Sequence, residues 1–128
     1  MTMTPTNSVK DAIQKFEGVT WINYGDPEHD DLDDKGLSPG WVKFGIEKSE
    51  LGWRTIEFLA WVFNALVQSK YRLFFWPTSP PPYINEPGTC LSFVVEMYLD
   101  TLDNQESINR IAGFINEFRS QYWADCKP

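Results

Sequence analysis

"WRTIEFLAWVFNALVQSK", residues 53–70, decides the fold because it predicts a long helix that is apolar around most of its circumference. Polar side chains occupy only a narrow sector, and Trp61 falls inside that sector between Glu57 and Asn64. A helix of this kind is buried by more than one layer or by a partner. The predicted apolar face consists of Ile56, Leu59, Ala60, Phe63, Leu66 and Val67, extended by Phe58, Val62 and Ala65.

Two stretches on the N-terminal side of this helix are typical of β-strands. Residues 41–48, WVKFGIEK, alternate so that Val42, Phe44 and Ile46 share one face while Trp41 lies off that face. Strict alternation predicts a strand with one buried side. A β-rich run, VTWINY, predicts another strand shortly before it in the chain.

On the C-terminal side, residues 71–76 and 90–99 predict two further strands. The connection between them, residues 77–89, is rich in proline and cannot lie inside a sheet. We therefore expect the two strands to pair across this connection. The side chains predicted on one face of the second strand are Leu91, Phe93, Val95, Met97 and Leu99.

Amphipathic helices are predicted near both ends of the chain. Ser8 caps the first helix, over residues 8–17, and Gly18 ends it. Asp103 caps the last helix. The apolar stripe predicted for the last helix comprises Ile108, Ile111, Ala112, Ile115, Phe118 and Tyr122.

The element order α-β-β-α-β-β-α predicts an α+β fold. We expect a mainly antiparallel sheet of four to five strands with three helices packed against it. Residues 41–123 have the order of a ferredoxin-like split β-α-β unit. A length of 128 residues predicts one domain, residues 1–128. Within it we expect a flexible tail at 1–7, a long acidic loop at 25–40 and a proline-rich loop at 77–89.

The charge of the chain is concentrated in one place. The segment 26–34, DPEHDDLDD, contributes −6 of the net charge of −7, so the remainder is close to balanced. A nucleic-acid binder has a basic stripe that contacts phosphates, and an anionic membrane attracts basic clusters. No run of Lys and Arg is present, which disfavours both kinds of partner.

Cysteine usage and the N-terminus bear on localisation. Cys90 and Cys126 are the two cysteines, and they form neither a CxxC pair nor a zinc-like cluster. Two thiols in a domain with ample core favour a reducing compartment, although one disulfide is compatible with the spacing. The N-terminus has no basic region followed by an apolar stretch, so no signal peptide is predicted. We expect a cytoplasmic protein.

Three interpretations of the acidic segment stay open: a metal site, a solvated loop, or a docking surface for a basic partner. A calcium loop needs oxygen ligands at positions 1, 3 and 5 and Glu at position 12. Counted from Asp31, Lys35 falls at position 5 and Val42 at position 12, so the calcium-loop pattern fails. The carboxylates assigned to partner binding are Asp26, Glu28, Asp30, Asp31, Asp33 and Asp34, and no metal ligand or cofactor is assigned.

The proline-rich loop contains PPPY, residues 80–83. This matches the short PPxY ligand of domains that bind polyproline II helices in aromatic grooves. The prolines also stiffen a connection between two strands and block edge pairing, which is the simpler role. Tyr83 is retained as an exposed aromatic candidate.

Aromatic residues make up 16% of the chain, and six of them are Trp. Trp is rarely fully buried, and Trp and Tyr are favoured as anchors of protein interfaces. The aromatic partner-binding residues predicted from the pattern are Trp41, Trp61, Trp76 and Tyr83. The sequence favours a small acidic non-enzymatic interaction protein of the adaptor, inhibitor, immunity or chaperone type, and the apolar surplus also allows a homodimer.

The alternative is a small-ligand-binding or metal-dependent enzyme that uses carboxylates of a pocket between helices and sheet. Glu57 and Glu96 are the carboxylates considered for acid–base chemistry. No Ser-His-Asp arrangement, G-x-S-x-G motif or glycine-rich phosphate loop is present, so no catalytic residue is assigned.

Overall fold

The structure is a computed structural model that describes residues 6–25, 37–78, 90–100 and 104–128. For residues 37–39, 90, 99–100 and 104–105 it describes the backbone alone. A π-helical segment, Arg119–Trp123, and a short helix, Ala124–Cys126, extend the last long helix. The main elements are α1 (Asn7–Gln14), β1 (Val19–Gly25), β2 (Leu37–Glu47), α2 (Glu50–Gln68), β3 (Leu73–Thr78), β4 (Cys90–Asp100) and α3 (Asn104–Phe118). This confirms the predicted α+β class and element order.

The four strands form one antiparallel sheet in the order β1-β2-β4-β3. Because β2 and β3 both pair antiparallel with β4, they run in the same direction with β4 between them. This is the predicted split β-α-β arrangement, and the pairing of β3 with β4 confirms the pairing expected across the proline-rich connection. The fourth strand, β1, comes before this unit in the chain, whereas a ferredoxin-like order places it after the second helix.

All three long helices contribute to one hydrophobic core on a single face of the sheet. Val42, Phe44 and Ile46 of β2 are fully buried there, as their alternation predicts. Phe75 of β3 lies 6.0 Å from Phe44 and 4.9 Å from Phe63 of α2 between ring centroids, so aromatic contacts join helix and sheet. Each buried side chain of this size contributes about 1.5–3 kcal/mol.

Helix α2 begins earlier than the pattern predicts. Ser49 is its N-cap, and its hydroxyl accepts a hydrogen bond of 3.1 Å from the backbone N–H of Gly52. The buried face is also rotated relative to the prediction, because Ala60 and Val67 are exposed. The buried apolar side chains of α2 are Phe58, Leu59, Val62, Phe63 and Leu66.

Helix α1 corrects two predictions at the N-terminus. Ser8 lies inside the helix and does not cap it, because α1 begins at Asn7. Thr6 is fully buried and is not part of a flexible tail, since its hydroxyl donates a hydrogen bond of 3.0 Å to the carbonyl oxygen of Gly25. This contact ties the start of α1 to the end of β1.

Both predicted loops are shorter than expected at their borders. Strand β1 includes Gly25 and β2 starts at Leu37, so only residues 26–36 of the acidic loop lie between the two strands. Strand β3 continues through Pro77 to Thr78, which is permitted because β3 is an edge strand of the sheet. The predicted cap Asp103 lies outside the described residues.

Two glycines allow the start of α2 to approach the β1–β2 edge. A Cβ on Gly52 would lie 1.9 Å from the carbonyl oxygen of Glu47, and one on Gly18 would lie 3.2 Å from the Cα of Gly52. The backbone N–H of Glu47 donates to the carbonyl of Gly18 at 3.0 Å. Within the described ranges, no helix is both long enough and apolar enough to cross a membrane.

Replacing Gly52 with Ala is expected to lower the free energy of unfolding by about 2–3 kcal/mol, because the new methyl group overlaps a backbone oxygen that cannot move aside. Gly113→Ala is the matched control, since a Cβ at this exposed helical position meets nothing within 4 Å. That variant should gain about 0.5–1 kcal/mol from helix propensity. Urea unfolding measures both changes, and equal effects would contradict the packing described.

Candidate functional site

The sheet face opposite the helices carries five described aromatic side chains: Phe74 and Trp76 are exposed, and Trp21, Trp41 and Tyr98 are half-buried. We call this surface the open sheet face. It consists of the side chains that strand alternation and register direct away from the core. No helix covers it within the described part of the chain. Its members with described side chains include Trp21, Asn23, Trp41, Lys43, Glu47, Phe74, Trp76, Thr78, Ser92, Val94, Glu96 and Tyr98.

The exposed aromatic rings of this face contact one another. Phe74 and Trp76 of β3 are 49% and 47% exposed, and their rings stack at 5.9 Å. Tyr98 of β4 meets Phe74 edge-on at 5.5 Å. Rings in such pairs are held in place before any partner arrives, which lowers the entropy lost on binding.

Two further Trp side chains lie flat across the sheet because glycine stands opposite each of them. A Cβ on Gly45 would come within 2.1 Å of the Trp21 ring, and one on Gly25 within 2.2 Å of the Trp41 ring. Trp21 and Trp41 are therefore half-buried and present a ring surface along β1 and β2. The result is a broad, low aromatic surface.

One cation and one anion lie near the centre of the open sheet face. Lys43 of β2 is opposite Val94 of β4, and Glu96 is opposite Trp41, so the two charged residues are diagonal neighbours. Tyr98 donates its hydroxyl hydrogen to Glu96 at 3.3 Å. Neither charge takes part in an ion pair with the described residues, and their formal charges cancel.

Two polar atoms beside Gly45 have no hydrogen-bond partner among the described residues. These are the hydroxyl oxygen of Ser92, which is 5% exposed, and the indole Nε1 of Trp21. Both residues pair with Gly45, one on each side of β2. The open sheet face thus contains hydrogen-bonding capacity that the described part of the chain leaves unused.

A second aromatic surface lies in the helix layer, on the other side of the sheet. This helical cleft has a volume of about 200 Å³ and is lined by Arg54, Glu57, Phe58, Trp61 and Cys126. Trp61 is 46% exposed, and its ring contacts Phe118 at 4.9 Å and Tyr122 at 5.4 Å. Arg54 and Glu57 form an exposed ion pair of 3.5 Å at its rim, and Cys126 is a free, exposed thiol.

The π-helical segment shapes this cleft and corrects the predicted stripe of the last helix. In an uninterrupted α-helix, Tyr122 lies two turns after Ile115 and shares its buried face. The π-helical segment adds one residue to the turn and moves the buried face forward by one position. Trp123 is therefore buried at 4% exposure, while Tyr122 is 42% exposed and faces Trp61.

The predicted aromatic residues fall on two surfaces. Trp41 and Trp76 belong to the open sheet face, whereas Trp61 lies in the helical cleft, in the polar sector of α2 as predicted. Tyr83 lies outside the described residues. The acidic residues named for partner binding also lie outside them: Asp26, Glu28, Asp30, Asp31, Asp33 and Asp34.

Sequence reasoning missed several members of both surfaces. Trp21, Phe74 and Tyr98 join the open sheet face, and Phe118 joins the rings around Trp61. The spacing of Phe74 and Trp76, two residues apart on one strand, was a usable signal. The side of Trp21 was not readable, because a β-bulge between Val19 and Trp21 shifts the register of β1.

The described carboxylates do not meet in one pocket. Glu57 is exposed on the helix layer, while Glu96 lies on the open sheet face. The buried polar side chains of the described ranges are Thr6, Thr55 and Ser92, so no carboxylate is buried between helices and sheet there. In the same ranges no three His, Cys, Asp or Glu side chains are grouped for a metal ion.

No family model matches the chain, and neither the curated proteins nor the solved structures contain a match to it. The assignment of function therefore depends on the residues and on the geometry of the two aromatic surfaces.

The π-helical register predicts unequal effects for two neighbouring aromatic residues. Trp123→Ala should lower the free energy of unfolding by about 3–5 kcal/mol, because it empties a buried site between Phe16 and Phe58. Tyr122→Ala should cost only about 1 kcal/mol, the value of an exposed ring contact. Urea unfolding of both variants decides the register, and a larger loss for Tyr122 would contradict the π-helical turn.

Proposed function

We propose that the chain is a small non-enzymatic interaction protein, of the adaptor, inhibitor, immunity or chaperone type, that binds another protein through its aromatic surfaces. The observation that carries this proposal is the exposure of clustered aromatic side chains on both sides of the sheet. Trp41 and Trp76 represent the open sheet face, and Trp61 represents the helical cleft. Contiguous apolar patches of this kind mark interaction surfaces, whereas scattered single residues do not.

The helical cleft suits a side chain of a protein partner better than a metabolite. Pockets for small ligands have volumes of roughly 300–1,000 Å³, and this cleft, at about 200 Å³, is smaller. Its walls at Phe58 and Trp61 are aromatic, and Arg54 and Glu57 provide a charged rim. A well-packed apolar pocket with a polar rim is typical of the position where a partner's anchor residue binds.

The acidic segment supports a basic partner. Its charge of −6 is confined to nine residues, and the rest of the chain is close to neutral. Concentrated charge raises the association rate of an oppositely charged partner more than it raises affinity. The segment therefore contributes steering in this proposal, while the aromatic surfaces supply the contacts that persist.

The alternative, an enzyme that uses carboxylates of a helix–sheet pocket, receives less support. Glu57 and Glu96 lie on opposite sides of the sheet and cannot act on one substrate together. General acid–base catalysis requires the groups to reach the same reacting atoms. No described feature favours this second function.

Partner capture tests the proposed function. The full-length chain, immobilised and exposed to lysate of its source cells, should retain a protein that Trp61→Ala binds at least about 30-fold more weakly after purification. Calorimetry of the purified pair gives the two dissociation constants. The loss is expected because the side chain forms one wall of the helical cleft.

Trp53→Ala is the matched control for this experiment. Trp53 is on the same helix and is more exposed, at 63%, but it does not line the cleft. Its removal should leave affinity within about threefold of wild type, as expected for a residue outside the anchor. If Trp61→Ala bound the partner as tightly as Trp53→Ala, the helical cleft would not be the binding surface.

Charge neutralisation tests the steering role of the acidic segment. Replacing its six carboxylates with Asn or Gln should slow association with the captured partner about tenfold at low salt. The difference should shrink toward physiological ionic strength because salt screens exposed charges. Stopped-flow mixing over a salt series measures both rates, and equal rates at low salt would show that the segment is only a solvated connection.

A further inference from the structure

The open sheet face carries little net charge in a strongly acidic protein. Its charged residues with described side chains are Lys43, Glu47 and Glu96, so their formal charges sum to −1, against −7 for the whole chain. Aromatic residues surround the two central charges: Trp41 and Phe74 flank Glu96 in one cross-strand row, and Trp76 lies two strands from Lys43 in the next. A strongly basic or acidic partner would find little opposite charge here, whereas a nearly neutral, apolar surface of the same kind fits.

The two charges are arranged so that the face is complementary to itself. In a two-fold symmetric interface, if residue i of one copy meets residue j of the other, then j also meets i. Lys43 and Glu96 are diagonal neighbours on the two central strands, separated by about 7–8 Å. Consider two copies that stack face to face around a two-fold axis in the plane between them. If this axis passes the midpoint between Lys43 and Glu96 and is perpendicular to the line that joins them, each Lys43 lies opposite Glu96 of the other copy.

The area of the face is close to what a dimer needs. Four strands spaced about 4.8 Å apart, each contributing about six residues, cover roughly 20 Å by 20 Å. Two copies therefore bring together roughly 800 Å² in projection, before the relief of the Trp and Phe side chains is added. Specific interfaces bury about 1,000 Å² or more, so the projected area approaches this size and the projecting Trp and Phe side chains add to it.

We infer that the open sheet face binds a second copy of this chain, forming a two-fold symmetric dimer in which Lys43 of each copy pairs with Glu96 of the other. The inference rests on the proposed function, because it assigns an occupant to one of the two aromatic surfaces. The helical cleft stays exposed in such a dimer, since it lies on the other side of the sheet. The dimer thus presents two clefts, facing away from each other, to other proteins.

Charge reversal gives a direct test with the full-length chain. Sedimentation equilibrium should show a wild-type dimer that dissociates on dilution. Lys43→Glu and Glu96→Lys should each raise the dimer dissociation constant by more than about 100-fold, because each places two like-charged pairs in a desolvated interface. Lys48→Glu makes the same change of charge at an exposed position outside the face and should leave the constant unchanged.

Two rescue experiments make the test specific. The double variant Lys43→Glu/Glu96→Lys should dimerise again, because both pairs regain opposite charge with their order exchanged. An equimolar mixture of the two single variants should form a heterodimer for the same reason, and its formation shows that each variant is folded. Recovery in both experiments would support the predicted pairing of Lys43 with Glu96 of the other copy.

Other results would overturn the inference. A wild-type chain that is monomeric at every concentration would show that a second copy does not occupy the open sheet face. A dimer that both single variants leave intact would place the dimer interface elsewhere, and failure of both rescues would exclude the Lys43–Glu96 pairing. Loss of partner capture in a chain that still dimerises would instead contradict the proposed function alone, so the two failures are distinguishable.

Discussion

The packing of α2 against a single face of the sheet is the contact on which the rest of the structure depends. Phe63 packs on Phe75, and Phe75 in turn packs on Phe44, so helix and sheet share one aromatic and aliphatic core. Helices α1 and α3 contribute to the same core. Side chains of a strand alternate between the two faces of a sheet. Because helices cover one face, the residues at the alternate positions form the other face.

Those alternate positions explain why this small domain carries so many aromatic residues. A surface strand of an antiparallel sheet ordinarily presents polar side chains to water. Here the corresponding positions include Trp21, Trp41, Phe74, Trp76 and Tyr98. Gly25 and Gly45 make room for two of the Trp rings to lie flat on the sheet. The core does not need these residues, and their position on the open sheet face is what supports the proposed interaction surface.

The helix layer has an aromatic surface for a different reason. Trp61 projects from the polar sector of α2, and the π-helical segment turns Tyr122 toward it while Trp123 enters the core. One additional residue in a helical turn therefore both completes the core and opens the helical cleft. The two surfaces lie on opposite sides of the sheet, and this separation allows one to serve self-association while the other contacts a different protein.

Local patterns in the sequence were sufficient for the class of fold, the order of elements and the buried face of β2. On β4 the predicted face buries Val95 and Met97, whereas Leu91 is 38% exposed. Alternation over Val42, Phe44 and Ile46 and helical periodicity over residues 53–70 are properties of neighbouring residues, so they can be read without the structure. The same patterns placed Trp41 off the core face and Trp61 in the polar sector of its helix, and both placements are correct.

What only the tertiary structure decided was which residues become neighbours. The register of β2 against β4 sets Lys43 beside Glu96, and the pairing of β3 with β4 brings Phe74 to Tyr98. The bulge in β1 and the π-helical segment after Phe118 each shift every following side chain by one position, and periodicity cannot detect such a shift. The aromatic residues are therefore visible in the sequence, but their division into two opposite surfaces depends on contacts between segments that are distant in the chain.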